Sequence, residues 1–150
     1  MKRWSFFLVL CAIAGTYGFA QTNEFIDGLL AEKETTYGQV SYLVLVASEN
    51  LNEDSDTARA FAQLRALGWA PWGAQADKKV DLASYASILM RAFGLRGGIM
   101  YSLFPGPRYA YREMVARQVI QGRSDPGLRV DGPSAIRMLG RVFDIIGAKQ

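Results

Sequence analysis

Residues 105–113 carry the densest set of polar and aromatic side chains in the sequence. Arg108 and Arg112 are four residues apart, so they share one face if this stretch is helical. Two guanidinium groups so placed can bind a carboxylate or phosphate with paired hydrogen bonds, and Tyr109 can stack on a sugar ring. The alternative is structural: the tyrosines pack in the core, and the arginines form surface ion pairs, one of them with Glu113.

Two further residues are candidates for ligand contact. Trp72 follows a proline in the loop Gly68–Gly73, and an exposed aromatic side chain beside such a turn suits contact with carbohydrate or protein. A Trp in a loop can instead close the end of a core, and this alternative stays open for Trp69 and Trp72. Arg123 lies in the later loop Gln121–Gly127. The candidate ligand-binding residues are therefore Arg108, Tyr109, Arg112, Arg123 and Trp72.

The first twenty residues have the parts of a secretory signal peptide. Lys2 and Arg3 form a positive n-region, residues 6–14 form an apolar h-region, and small residues precede a cleavage point after Ala20. The apolar run is shorter than the roughly 20 residues that a membrane-spanning helix needs. The alternatives are a retained N-terminal anchor and lipoprotein processing at Cys11, which is preceded by Leu instead of a small residue.

Cleavage at this point predicts a single domain, residues 21–150, that is exported to the periplasm or envelope of a bacterium. No later stretch is long and apolar enough to predict a transmembrane helix. The mature chain has neither cysteine nor histidine, which excludes disulfides, Ser-His-Asp triads and the usual zinc sites. We therefore expect no metal, no cofactor and no enzymatic activity.

Basic and acidic residues are unevenly distributed along the mature chain. Residues 21–90 contain ten acidic and five basic residues, whereas residues 91–150 contain four acidic and ten basic residues, nine of them arginine. A basic half of this kind faces an anionic polymer, a lipid surface or the acidic half of its own fold. Export and a nearly balanced total charge argue against nucleic-acid binding.

Two segments of the sequence align without gaps at a spacing of fifty residues. Residues 80–95 and 130–145 share six identities in sixteen positions, which favours an internal repeat. The alternative is two ordinary amphipathic helices that both have an Asp cap. A shorter third copy begins at Thr36. The identical pairs are 80/130, 81/131, 84/134, 89/139, 91/141 and 93/143.

Each copy opens with a residue that favours the start of a helix. Asp81 and Asp131 can accept hydrogen bonds from the free N–H groups of a first turn, and Thr36 with Gln39 forms a capping-box pattern. Apolar residues recur behind each cap with helical spacing, and a shorter amphipathic helix precedes each of the last two copies. The sequence thus predicts an all-α domain of repeated helix-loop-helix units at about 35–49, 56–95 and 108–147.

This layout resembles the S-layer homology family of cell-envelope modules, through Val119-Ile-Gln-Gly122, Asp125-Pro126, Val130-Asp131 and the helix over 136–143. The family opens its second helix with Thr-Arg-Ala-Glu, whose Arg is tied to glycan binding. The corresponding openings here begin at Thr36, Asp81 and Asp131, and none contains that Arg. The resemblance implies the family's fold and a binding role in the cell envelope.

These observations favour a noncatalytic envelope module that binds an anionic wall glycan or an envelope partner protein. The alternative is an interaction subunit of a periplasmic or outer-membrane assembly without glycan affinity. A less favoured hypothesis is a small secreted glycan hydrolase that uses two carboxylates as acid and base. The acids available for that chemistry are Glu32, Glu34, Glu49 and Glu113.

Overall fold

The computed structural model describes residues 22–122 and 125–148, and the chain is all-α across these ranges. The predicted signal peptide, residues 1–20, and the candidate Arg123 lie outside the described residues. The only β-type pairings in the described ranges are two isolated bridges, Thr36 with Lys79 and Asp81 with Arg129. The helices are α1 (22–31), α2 (Tyr37–Ala47), α3 (Thr57–Ala66), α4 (Leu82–Ala92), α5 (Ile99–Leu103), α6 (Pro107–Ala116) and α7 (Gly132–Gly147).

The predicted helix caps are confirmed. Gln39 N donates to Thr36 Oγ1 (3.3 Å) while Thr36 N donates to the Gln39 side chain (2.8 Å), which completes the capping box that begins α2. Asp81 Oδ1 accepts from the N–H three residues later in α4 (2.8 Å), and Asp131 Oδ1 does the same in α7 (2.6 Å). Asp56 caps α3. Each cap satisfies a first-turn N–H group that has no partner inside its helix.

The three segments that precede α2, α4 and α7 bond to one another in a closed ring. Thr35 N donates to Val130 O (2.7 Å), Val130 N donates to Val80 O (3.1 Å), and Val80 N donates to Thr35 O (2.9 Å). Thr35 Oγ1 adds a second hydrogen bond to Val130 O (2.9 Å). All three residues are buried. The three capped helices therefore begin around one common centre.

A second set of hydrogen bonds reinforces this ring. The first residue of each of the helices α2, α4 and α7 donates its N–H to a carbonyl in the segment that precedes another of these three helices: Tyr37 N to Lys78 O, Leu82 N to Leu128 O and Gly132 N to Glu32 O, each at 2.9 Å. At the third junction the two backbones approach closely. A Cβ atom on Gly132 would lie 1.6 Å from Leu29 O, so this position requires glycine.

The hydrophobic core lies between the capped helices and the two shorter helices outside them. Helix α3 packs on α2, and α6 packs on α4. Tyr85 is fully buried at the centre, and its hydroxyl donates to Ala135 O at 2.9 Å. The repeated pair Phe93 and Phe143 lies at the edge of this core: Phe143 is 45% exposed and packs edge-on against Phe93, with ring centroids 5.3 Å apart.

In residues 22–122 and 125–148, no helix has both the length and the apolar character that a membrane span needs.

Candidate functional site

Three of the five predicted ligand-binding residues lie together at the start of α6. Arg108 and Arg112 are both exposed, and their spacing of one helical turn places them on one face, as the sequence predicted. Glu113 does not pair with either of them. Its carboxylate accepts a hydrogen bond from Gly98 N (2.8 Å) and lies 3.9 Å from the Arg117 guanidinium.

Trp72 does not join this cluster, and within the cluster the ring of Tyr109 is partly covered. Tyr109 is half-buried and stacks on Phe104, with ring centroids 6.3 Å apart and an interplanar angle of 30°. Trp72 is fully exposed (103%) and lines a shallow pocket with Arg65 and residues 70–75, none of which belongs to α6. Trp72 therefore does not close the core, and Tyr109 has an aromatic neighbour on its ring.

A different set of residues surrounds a groove of about 280 Å³ beside the first turns of α7. Its walls come from residues 119–121, from residues 128–130 and from α7 itself. Three arginines line this groove: Arg129, Arg137 and Arg141. The volume lies near the lower end of the range for small-molecule sites, roughly 300–1,000 Å³.

Each groove arginine is held in place by one hydrogen bond. Arg129 Nη1 donates to Lys79 O (3.0 Å), Arg137 Nη2 donates to Ser134 Oγ (2.9 Å), and Arg141 Nη1 donates to Val119 O (2.9 Å). A guanidinium group carries five N–H donors, so each arginine keeps several for a ligand. One hydrogen bond thus orients each arginine, and its other N–H groups stay available to a ligand.

The charges and the floor of the groove define the ligand that it suits. Asp131 is the one carboxylate in the lining, and its Oδ1 already accepts from Ser134 N. Three cationic groups against one committed carboxylate favour an anion, and arginine pairs with carboxylates and phosphates through parallel hydrogen bonds. Apolar side chains complete the lining: Leu82, Val119, Ile120, Leu128, Val130 and Met138. The groove thus suits a small anionic group attached to an apolar or sugar-like face.

Arg141 recurs with Arg91 in the two aligned segments, whereas nothing in the sequence selected Arg129 or Arg137 for ligand contact. Both recurring arginines bond to backbone carbonyls: Arg141 to Val119 O, and Arg91, fifty residues earlier, to Gly68 O (2.7 Å) and Pro105 O (3.0 Å). The sequence does contain one indication of the groove: Arg137 aligns with Ser87, which is buried, in the earlier segment. Comparing the two segments position by position singles out this added cation.

Residues 22–122 and 125–148 contain no cluster of three or more His, Cys, Asp or Glu side chains arranged to hold a metal ion. Comparisons of the chain with models of protein families, with curated proteins and with solved structures found no match.

Proposed function

We propose that this chain is an exported, noncatalytic module of a bacterial cell envelope, and that it binds an anionic wall glycan in the groove beside α7. The observation that carries the proposal is the convergence of Arg129, Arg137 and Arg141 on one groove whose one carboxylate, Asp131, already caps a helix. Wall polymers present phosphate and carboxylate groups on sugars, and these are the groups that arginine binds with paired hydrogen bonds.

A repeated architecture related to S-layer homology modules is part of this proposal. Three units, at about 35–49, 56–95 and 108–147, account for the ring formed by Thr35, Val80 and Val130, because each of these residues immediately precedes a helix cap. They also account for Arg91 and Arg141, which both bond carbonyls that follow the preceding helix.

The arginine that opens the second helix in that family has no counterpart here, and the groove supplies a substitute. Arg129 comes from the segment before the cap, and Arg137 and Arg141 come from the second and third turns of α7. We therefore propose that the anion is bound by arginines before and after the Asp131 cap, and not by an arginine in the first turn of the helix.

A noncatalytic role fits the surroundings of the acidic residues. The Glu113 carboxylate is held by Gly98 N and Arg117, and Glu32 Oε1 accepts a hydrogen bond from Gln39 (3.3 Å). None of the four glutamates proposed for a hydrolase lines the groove. Zymography on wall material separates the two hypotheses: we expect no clearing band, and a band would support the hydrolase.

Binding is tested by sedimentation of the purified chain with peptidoglycan sacculi that carry, or have been stripped of, their anionic polymers. We expect the wild type to pellet with intact sacculi, to pellet less as salt rises, and to stay in solution with stripped sacculi. Arg137→Gln should weaken binding about tenfold, as for the loss of one charge-assisted hydrogen bond. Arg59→Gln, an equal change at an exposed arginine of α3, is the matched control.

The outcomes distinguish the remaining hypotheses. Equal binding by the Arg137→Gln and wild-type chains would remove the groove from the proposal. Absence of the wild type from all sacculus pellets would rule out glycan binding. It would favour the alternative hypothesis, an interaction subunit without glycan affinity. Export is tested separately, because a signal peptide predicts that the chain recovered from a bacterial periplasm begins at Gln21.

A further inference from the structure

The short helix α5 and the residue after it expose an apolar surface. Ile99 is 79% exposed, Leu103 is 64% exposed and Phe104 is 60% exposed, and Met100 is also exposed. No residue of α5 is buried. Ile99, Met100 and Leu103 follow helical spacing, so they lie on one side of the helix. We call Ile99, Met100, Leu103 and Phe104 the α5 patch.

Polar contacts to neighbouring helices hold the backbone of this segment. Gly98 N donates to Glu113 Oε1 on α6 (2.8 Å), and Pro105 O accepts from Arg91 on α4 (3.0 Å). Arg117 donates to Arg96 O, and Phe104 stacks on Tyr109. Both ends of α5 are therefore anchored, so the apolar side chains are exposed by a defined backbone position and not by a loose loop.

Arginines flank the α5 patch in the sequence. Arg96 precedes it, Arg108 and Arg112 follow it, and all three are exposed. The sequence contains no acidic residue between Asp81 and Glu113. An exposed apolar segment with arginines on both sides has the composition of a surface that enters the boundary between lipid headgroups and acyl chains.

We propose that the α5 patch docks on an anionic lipid bilayer, with Ile99, Leu103 and Phe104 at the headgroup boundary and Arg108 and Arg112 on the anionic headgroups. A second copy of this chain fits the patch poorly, because a symmetric contact would bring like-charged arginines together. Four side chains also provide much less area than the roughly 800 Å² per partner of a stable protein interface. The proposal shares no residue with the groove, so it does not depend on glycan binding.

The test is co-sedimentation of the full chain with vesicles of phosphatidylcholine, with and without phosphatidylglycerol. We expect binding to the phosphatidylglycerol vesicles that falls with salt, and little binding to phosphatidylcholine alone. The double variant Ile99→Ser/Leu103→Ser should lose at least about tenfold in affinity, as should Arg108→Gln/Arg112→Gln. The matched controls are Leu30→Ser, at an exposed leucine of α1, and Arg59→Gln.

All these variants keep the same N-terminal segment, so its contribution to lipid binding cancels in the comparison. The substituted side chains are exposed, and unchanged thermal unfolding verifies that each variant folds. As a second readout, Phe104→Trp should give a blue-shifted emission on phosphatidylglycerol vesicles, and Leu30→Trp should not.

Three results would overturn the proposal. The first is equal binding to both vesicle types or to neither, which would show that the patch does not recognise an anionic bilayer. The second is wild-type affinity in the Ile99→Ser/Leu103→Ser chain, which removes the patch. The third is a concentration-dependent dimer, without vesicles, that Leu103→Ser dissociates, because a second copy would then be the occupant.

Discussion

The burial of Tyr85 makes the stability of the fold depend on pH. It is completely buried in α4, and its hydroxyl donates to Ala135 O in α7. Burial raises the pKa of Tyr85 well above its usual value of 10.0, because the phenolate would lose its hydration. Burial also raises the pKa of Tyr37, although a hydrogen bond with Ser84 opposes this effect. Both hydroxyl groups therefore keep their protons to a higher pH in the folded chain than in the unfolded chain.

We therefore predict that the chain loses stability above pH 10. The folded state keeps the Tyr85 proton at pH values where the unfolded state releases it, so this contribution is complete below the ordinary pKa of 10.0 and is lost as pH rises above it. Tyr85 alone should contribute a slope of about 1.4 kcal/mol per pH unit, and Tyr37 adds to it. Urea unfolding at a series of pH values measures it.

The control for this prediction is Tyr85→Phe. This variant removes the titrating group and one buried hydrogen bond, so it should be less stable by about 1 kcal/mol at neutral pH and should fall less steeply above pH 10. Tyr37 accounts for the slope that remains. An equally steep fall in Tyr85→Phe would show that Tyr85 does not titrate with unfolding.

At the scale of single elements, the sequence predicted those features that depend on residues close together in the chain. The caps Thr36, Asp81 and Asp131 were predicted because a cap bonds to residues only three positions away. Helix α5 was not predicted, since its ends are held by bonds from α4 and α6, far away in the sequence. The groove was missed for the same reason: its walls at Leu82, at residues 119–121 and along α7 meet only after the chain folds.

Two glycines of α7 should respond in opposite ways to a change to alanine. At Gly132 a Cβ would collide with the backbone of Leu29, whereas at Gly140 it would meet nothing within 4 Å. We expect Gly132→Ala to cost about 2–4 kcal/mol, because the backbones of α1 and α7 must move apart to relieve the collision with Leu29. Gly140→Ala should stabilise the chain by about 0.5–1 kcal/mol, because alanine is the better helix former. Chemical denaturation measures both, and a neutral Gly132→Ala would contradict the close approach of α1 and α7.

At the scale of the whole molecule, the hydrogen-bonded ring joins segments from all parts of the described chain. Thr35, Val80 and Val130 are each buried and each bonded to the other two through the backbone. The contacts span 45, 50 and 95 positions of the sequence. The spacing of the caps predicted equivalent helices, but it carried no information that their leading residues bond to one another.

Amide hydrogen exchange should show that this ring opens only when the whole chain unfolds. Exchange at a buried, hydrogen-bonded amide requires an opening event, and breaking the ring separates all three capped helices. The amides of Thr35, Val80 and Val130 should therefore exchange with a free energy equal to that of global unfolding. The amide of Ser102 in the exposed α5, bonded to Gly98 O at 3.0 Å, should exchange by local opening. Rapid exchange at any ring amide would contradict this expectation.

The separation between Thr35 and Val130 also has a consequence for the order of synthesis. On the ribosome, Thr35 is made 95 residues before Val130. A nascent chain that has not reached Val130 cannot close its centre, whatever helices it has already formed. Helices α2, α4 and α7 can therefore meet around this centre only after the chain has been made through Val130.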